Sequence, residues 1–218
     1  MIHALREFYG LQATPPADLF QFLVWEILSE QALPARRDLA WQALKRIPAL
    51  TPDAMFRASA KALLDAVGMA GAHREAKVER LHATMGEFKR HRTELDLETL
   101  RHRSALGAGR ALSRLAHVHP TVRARAHLFA LNRRVLPIDT DINRVLSRLM
   151  GEPQCRNRSR SRRWLSSQLP PDLAAWRDAV VYLRHHAQHT CLKVAPHCGV
   201  CPLGAGCQYP NSAKRLDA

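Results

Sequence analysis

The sequence predicts an all-helical protein, and three observations carry that prediction. Apolar residues recur at helical spacing in Leu19, Phe20, Leu23, Ile27 and Leu28. Start and stop signals bracket a second helix: Thr51-Pro52-Asp53 supplies an N-cap and a first-turn proline, and Gly68 ends the run that reaches about Ala66. No stretch of useful length alternates as a strand would, and no internal repeat is present. At 218 residues the chain is long enough to bury a sizeable core, as one domain or two small ones.

The elements follow in order. After the first amphipathic segment near residues 19–28, helices are expected at 36–46, 51–66, 74–90, 108–116, 121–132, 140–150 and 172–189. The Pro15-Pro16 and Pro170-Pro171 pairs read as connectors. The basic run 155–163, CRNRSRSRR, reads as a loop or a frayed helix start that marks a crossing between two lobes. Trp25, Trp41, Trp164 and Trp176 fall at apolar positions and are assigned to the core.

Cysteine usage is concentrated. Cys191, Cys198, Cys201 and Cys207 stand in the spacing C-x6-C-x2-C-x5-C, four thiols within seventeen residues. Thiolate is a soft ligand that suits iron–sulfur clusters and zinc. Zinc sites usually pair cysteines as two short knuckles separated by a dozen or more residues, and only Cys198 and Cys201 form a knuckle here. The spacing favours a [4Fe–4S] cluster, with zinc or disulfides as the alternatives. The fifth cysteine, Cys155, has no evident partner. An odd count and a thiolate cluster point to a reducing cytosol, with nucleoid association if the source is bacterial. The opening MIHALREFYG lacks the charged and apolar regions of a signal peptide, and no segment has the length and apolarity of a membrane span.

Charge is just as uneven. Residues 1–100 balance thirteen Lys and Arg against thirteen Asp and Glu. Residues 101–163 hold fifteen arginines, no lysine and three acids, so they carry +12 of the chain's +14. An evenly spread excess would describe an ordinary solvated surface; a concentrated one is the footprint of a phosphate-binding partner.

Three segments carry a resemblance beyond composition. Leu115 to Val145, LAHVHPTVRARAHLFALNRRVLPIDTDINRV, resembles the hairpin and following helix of the endonuclease III family of DNA glycosylases, whose pattern begins L-P-G-V-G and ends V-D-T-H-I-x-R-V. The cysteine spacing is also that family's, and Leu28-Ser29-Glu30-Gln31-Ala32 resembles its L-S-x-Q-A. The resemblance spans about residues 20 to 209. It implies a two-lobed helix-hairpin-helix glycosylase fold. Residues 20–134 would form a six-helix barrel lobe with a degenerate hairpin near 108–132; residues 1–19 and 135–218 would form an iron–sulfur lobe. The active site of this family lies between the lobes.

The resemblance also assigns roles. Asp139 matches the family's catalytic aspartate; cleaving an N-glycosidic bond builds positive charge on the sugar, which a nearby carboxylate stabilises. The same residue also reads as the N-cap of the next helix, and the two roles are compatible. Asp141, two residues on, does not share its helix face and is no dyad partner. Thr121 stands where bifunctional members carry the lysine that forms a Schiff base, and no lysine occurs between Lys89 and Lys193. That implies hydrolysis to an abasic site without efficient lyase activity. The adenine-excising branch also lacks this lysine but has a further C-terminal domain that 218 residues do not accommodate; pyrimidine-mismatch and alkylpurine branches remain.

For DNA contact the expected residues are Gln31, which would fill the gap left by a flipped base, and Arg123, Arg125 and Lys193, which would meet phosphates. Arg133 and Arg134 lie near the same helix. His117 and His119 replace the hairpin's two glycines; either they donate to phosphate, or the hairpin no longer clamps DNA. The expected protein is a monomeric DNA glycosylase of base-excision repair acting on double-stranded DNA, with a structural [4Fe–4S] cluster. The alternatives are a catalytically inactive DNA-binding homologue and, more weakly, an AP lyase using another amine.

Overall fold

A computed structural model describes residues 1–46, 50–115, 118–152 and 157–209. Among them the chain forms twelve α-helices, two short 3-10 turns and no strand. The expected all-helical class is the one observed. No helix among the described residues is long and apolar enough to cross a membrane. The chain divides into two compact units, Pro15–Arg133 and the combination of Met1–Thr14 with Arg134–Ala218.

The first unit is built around α2 (Leu19–Ser29). Its residues from Leu19 to Leu28 are buried with the exception of Gln21, so it presents no polar face and serves as the central helix. Asp18 starts it, its carboxylate accepting from the Gln21 N–H at 2.9 Å. Around it stand α3 (Pro34–Lys45), α6 (Arg74–Arg90) and α9 (Pro120–Phe129). Phe20, Val24, Trp25, Trp41, Leu44, Met55, Leu63, Leu81 and Met85 share one core cluster. Trp25 and Trp41 meet edge to face at 5.3 Å, as their core assignment requires.

The helix expected over 51–66 is two helices, α4 (Pro52–Arg57) and α5 (Ala60–Gly68). Thr51 caps the first as expected. Ser59 then caps the second, its hydroxyl accepting from Ala62 N–H at 3.2 Å. Serine competes for the backbone in this way and breaks a run that apolar spacing alone would continue. Two further short helices follow, α7 (Leu97–His102) and α8 (Ala105–Ser113), each begun by its own side-chain cap, Asp96 and Ser104. One buried cation stands out: Lys77 on α6 is 1% exposed and donates to the Leu28 and Ala70 carbonyls at 3.5 and 3.3 Å. Burial pushes its pKa below the ordinary lysine value.

The second unit is organised by α10 (Thr140–Leu149) and α12 (Leu173–His189), which pack on each other. α11 (Arg158–Gln168) lies against α10, and the N-terminal α1 (Ile2–Tyr9) against α12. The basic run expected to be a loop or frayed start is largely helical: Asn157 caps α11 by accepting from Arg160 N–H at 3.1 Å. Cys155 lies outside the described residues. α1 is fixed by buried Leu5 and by Tyr9, whose hydroxyl meets His186 Nδ1 at 2.8 Å and Thr190 Oγ1 at 2.5 Å. Trp164 and Trp176 are only partly buried, unlike the first two tryptophans; Trp176 turns its indole N–H to the Pro170 carbonyl at 2.9 Å. Past α10, Gly151 takes φ +74°, and a Cβ there would stand 3.0 Å from Gln208, so any other residue would be strained and would push on that neighbour.

Candidate functional site

Asp139 begins α10. Its Oδ1 accepts from Ile142 N–H at 2.8 Å, which is the N-cap geometry expected for it. Its Oδ2 lies 3.2 Å from Nε of Arg184 on α12. Neither side chain is sealed: the aspartate is 17% and the arginine 25% exposed. Asp141 points elsewhere and pairs with Arg144 at 2.6 Å, so the two aspartates form no dyad. Arg158 stands at the same helix start, donating to Thr140 Oγ1 at 3.1 Å. Arg162 of α11 donates to the Leu136 carbonyl just upstream at 3.1 Å.

The same helix also organises the cysteine loop. Arg144 and Arg148 sit one turn apart on one face of α10. Arg144 donates to the Ala187 and Cys191 carbonyls at 2.9 and 3.1 Å, closing the open end of α12. Arg148 donates to the Leu192 and Lys193 carbonyls at 2.6 and 3.2 Å, lies 3.3 Å from Cys191 Sγ, and stacks over the Tyr209 ring at 4.4 Å. Cys191, Cys198, Cys201 and Cys207 line one cavity of about 340 Å³, its open mouth included, together with Arg148, His186 and Leu203. All four are free thiols. No three His, Cys, Asp or Glu side chains among the described residues stand close enough to share a single metal ion. Burial first, then the neighbouring cysteines, pushes the Cys201 and Cys207 thiols above their ordinary range. His186, whose Nε2 is 3.7 Å from Cys201 Sγ, is pushed down to about 4, mainly by burial and secondarily by His185.

The remaining expected site residues fall in different places. His117 lies outside the described residues; His119 is exposed and precedes Pro120 at the start of α9 without capping it through its side chain. Thr121 is partly exposed in the first turn of α9. Arg123 is partly exposed and donates to the Val118 carbonyl in the turn at 3.3 Å. Arg125 corrects the expectation: it is buried at 7% exposure and pairs with Glu26 of α2, so it is not on the surface. α9 is buried from Arg125 to Phe129 and has no solvent face in that half. Arg133 donates to the Leu100 and Arg101 carbonyls at 2.9 and 3.2 Å, and also to that of Arg103, satisfying the end of α7. Arg134 donates to Pro171 at 3.1 Å.

Gln31 is exposed just past α2 with φ +48° and meets His73 Nε2 at 3.1 Å, itself at φ +62°. Lys193 is exposed in the loop closed by Cys191 and Cys198. Sequence reasoning missed Arg184, Arg144 and Arg148. The i, i+4 spacing of the last two was visible; nothing in the sequence paired Arg184 with Asp139.

No family sequence model matches this chain, and no curated protein sequence matches it. Solved structures do. A non-covalent endonuclease III–DNA complex aligns with a TM-score of 0.68 over 100% of this chain and 95% of the other, at 16% identity. A thermostable thymine-DNA glycosylase aligns at 0.67 over 96% and 94%, at 14% identity. A DNA-3-methyladenine glycosidase from Bacillus halodurans aligns at 0.55 over 86% and 84%, at 17% identity. The chain has the fold of the endonuclease III family of helix-hairpin-helix DNA glycosylases.

Proposed function

We propose that this protein is a monomeric DNA glycosylase that flips a damaged base out of double-stranded DNA and removes it by hydrolysis. The observation that carries the reading is Asp139, a partly exposed carboxylate fixed at the start of α10 in a chain with a glycosylase fold. As the glycosidic bond breaks, the base leaves with the bonding electrons and the sugar becomes cationic. Asp139 stabilises that cation; water adds to the anomeric carbon, its proton passes to solvent or to the leaving base, and an abasic site remains. Thr121 offers no amine for a Schiff base. Lys77, the buried lysine of the same unit, is committed to two carbonyls. Both facts support hydrolysis without efficient strand cleavage.

The four cysteines suit a [4Fe–4S] cluster. Thiolate is the ligand such a cluster would need, and the four cysteines line one cavity. Cys191, Cys198, Cys201 and Cys207 would hold it, and its contribution would be to fix the loop bearing Lys193 rather than to take part in chemistry. Gln31, His119 and Lys193 would meet the DNA, and Arg123 would hold the turn ahead of α9.

A second reading has one observation in its favour. Both Asp139 oxygens are already engaged by protein groups, which suits a DNA binder that has lost catalysis. The deciding experiment is release of free base from a panel of oxidised, deaminated, mismatched and alkylated duplexes. Base release from one substrate, reduced at least ~100-fold in Asp139→Asn with binding little changed, is the expected result. Borohydride should trap little covalent adduct. No release from any duplex would leave the inactive binder.

A further inference from the structure

We infer that Arg184 is a phosphate-binding positioning residue: it holds Asp139 in the free protein and exchanges that carboxylate for a backbone phosphate when an extruded nucleotide arrives. The inference rests on the reading of Asp139 as the catalytic carboxylate. Oδ1 of Asp139 is bound to the α10 backbone, so Oδ2 is the oxygen oriented for a ligand, and Arg184 Nε stands 3.2 Å from it. A sugar cation and this guanidinium therefore compete for one oxygen.

Charge complementarity resolves the competition. At the moment of bond cleavage the sugar is positive and is flanked by phosphate anions. The Asp139–Arg184 pair presents the inverse arrangement. If the phosphate takes the guanidinium as the cation takes the carboxylate, every charge keeps an opposite partner. Breaking the pair without such replacement would remove an opposite-charge contact from both groups in a partly desolvated place. The exposures fit an exchangeable pair: 17% and 25% here, against 5% and 8% for Glu26–Arg125, which no ligand can reach.

The arginines of α10 are not exchangeable in this way. Arg144 and Arg148 donate to backbone carbonyls that close α12 and fix the cysteine loop, and withdrawing them would undo that structure. Arg184 instead faces an acidic side chain. Exposed Arg158 at the same helix start adds positive potential for an arriving phosphate. Guanidinium also suits phosphate through its planar set of donors.

The test uses the whole protein and three duplexes: an undamaged one, one with a neutral tetrahydrofuran abasic nucleotide, and one with a cationic pyrrolidine of the same shape. Affinities are measured by fluorescence anisotropy over a salt series. Wild type should prefer the cationic duplex, and Asp139→Asn should lose that preference. Arg184→Met should bind the neutral abasic duplex about ten-fold more weakly, with the salt slope smaller by about one. Its preference for the cation should persist. Arg184→Lys should recover the slope, which separates a lost contact from a misfolded variant. If Arg184 merely orients Asp139, Arg184→Met will lose the cation preference and keep the slope, and the exchange is wrong. Equal affinity of the wild type for the cationic and neutral duplexes would remove the Asp139 reading and the exchange with it. A normal preference with an unchanged slope in Arg184→Met would remove the exchange alone.

Discussion

Arg125 and Arg184 each face a carboxylate, but their surroundings give the two pairs different consequences. Glu26–Arg125 is 5% and 8% exposed and joins α2 to α9 inside one unit. Removing one member of such a pair leaves a buried charge without compensation. Glu26→Leu or Arg125→Met alone should therefore cost about 3–5 kcal/mol, whereas the double variant should fall close to the parent or above it. Urea unfolding of the four proteins gives the coupling energy. A double variant as unstable as either single one would show that the pair is not the source of the loss. From the sequence, Arg123 and Arg125 looked alike, two bases on one helix in a strongly basic segment. What separates them is the burial of the second half of α9 on all sides. That is a tertiary fact, and periodicity does not reveal it. Asp139 was legible as the N-cap of α10, and the catalytic role proposed for it asks for the same residue type at the same helix start. Its partner Arg184 lies 45 positions away on another helix, and no local pattern links them.

At the scale of elements, caps and stops were legible, and breaks made by small polar residues were less so. Thr51 was read correctly; Ser59, eight residues later, was not weighed against the apolar run that crosses it. Asn157 turned an arginine-rich stretch into α11 for the same reason, a short side chain satisfying a helix start. α9 carries its own testable consequence. His127 is 8% exposed and its Nδ1 has no hydrogen-bond partner among the described residues. Burial, then the Arg133 charge, holds its pKa below the ordinary value. The unfolded chain thus takes up a proton near pH 6.5 that the folded chain refuses. Stability should be full above that pH and fall as the solution is acidified. Urea midpoints between pH 7 and pH 5 should drop, and His127→Gln should flatten part of the drop; an equally steep drop in the variant would assign it elsewhere. The cysteine loop makes a separate prediction. Protein purified without chelators should be brown, absorbing near ~400 nm as thiolate-bound iron does. Cys198→Ser or Cys201→Ser should lose colour and solubility together, and Cys155→Ser should keep both. A colourless protein holding one zinc would end the cluster assignment.

The charge of the whole molecule is a poor count of the DNA contacts proposed for it. Fifteen arginines lie between residues 101 and 163, but the structure commits many of them internally. Arg101, Arg123, Arg133, Arg134, Arg144, Arg148 and Arg162 donate to backbone carbonyls, and Arg114, Arg125 and Arg160 pair with acids. A segment this basic therefore uses arginine largely to finish helix ends and turns, work that its single-sign composition conceals. Arg110, Arg158, Arg163 and Lys193 are exposed and better placed to meet phosphate. Each phosphate neutralised contributes about −0.9 to the slope of log K against log salt, so a duplex met by roughly four to six cations should give a slope near −4 to −5. The full basic segment would give a far steeper one. Anisotropy titrations on two unrelated undamaged duplexes measure this directly. Lys193→Met should weaken both alike and reduce the slope by about one. Arg125→Met, where enough folded protein remains, should leave the slope unchanged, because its guanidinium never reaches solvent. A slope change in Arg125→Met equal to that in Lys193→Met would mean that α9 turns its buried half outward when DNA binds, and the internal role assigned to that arginine would be wrong.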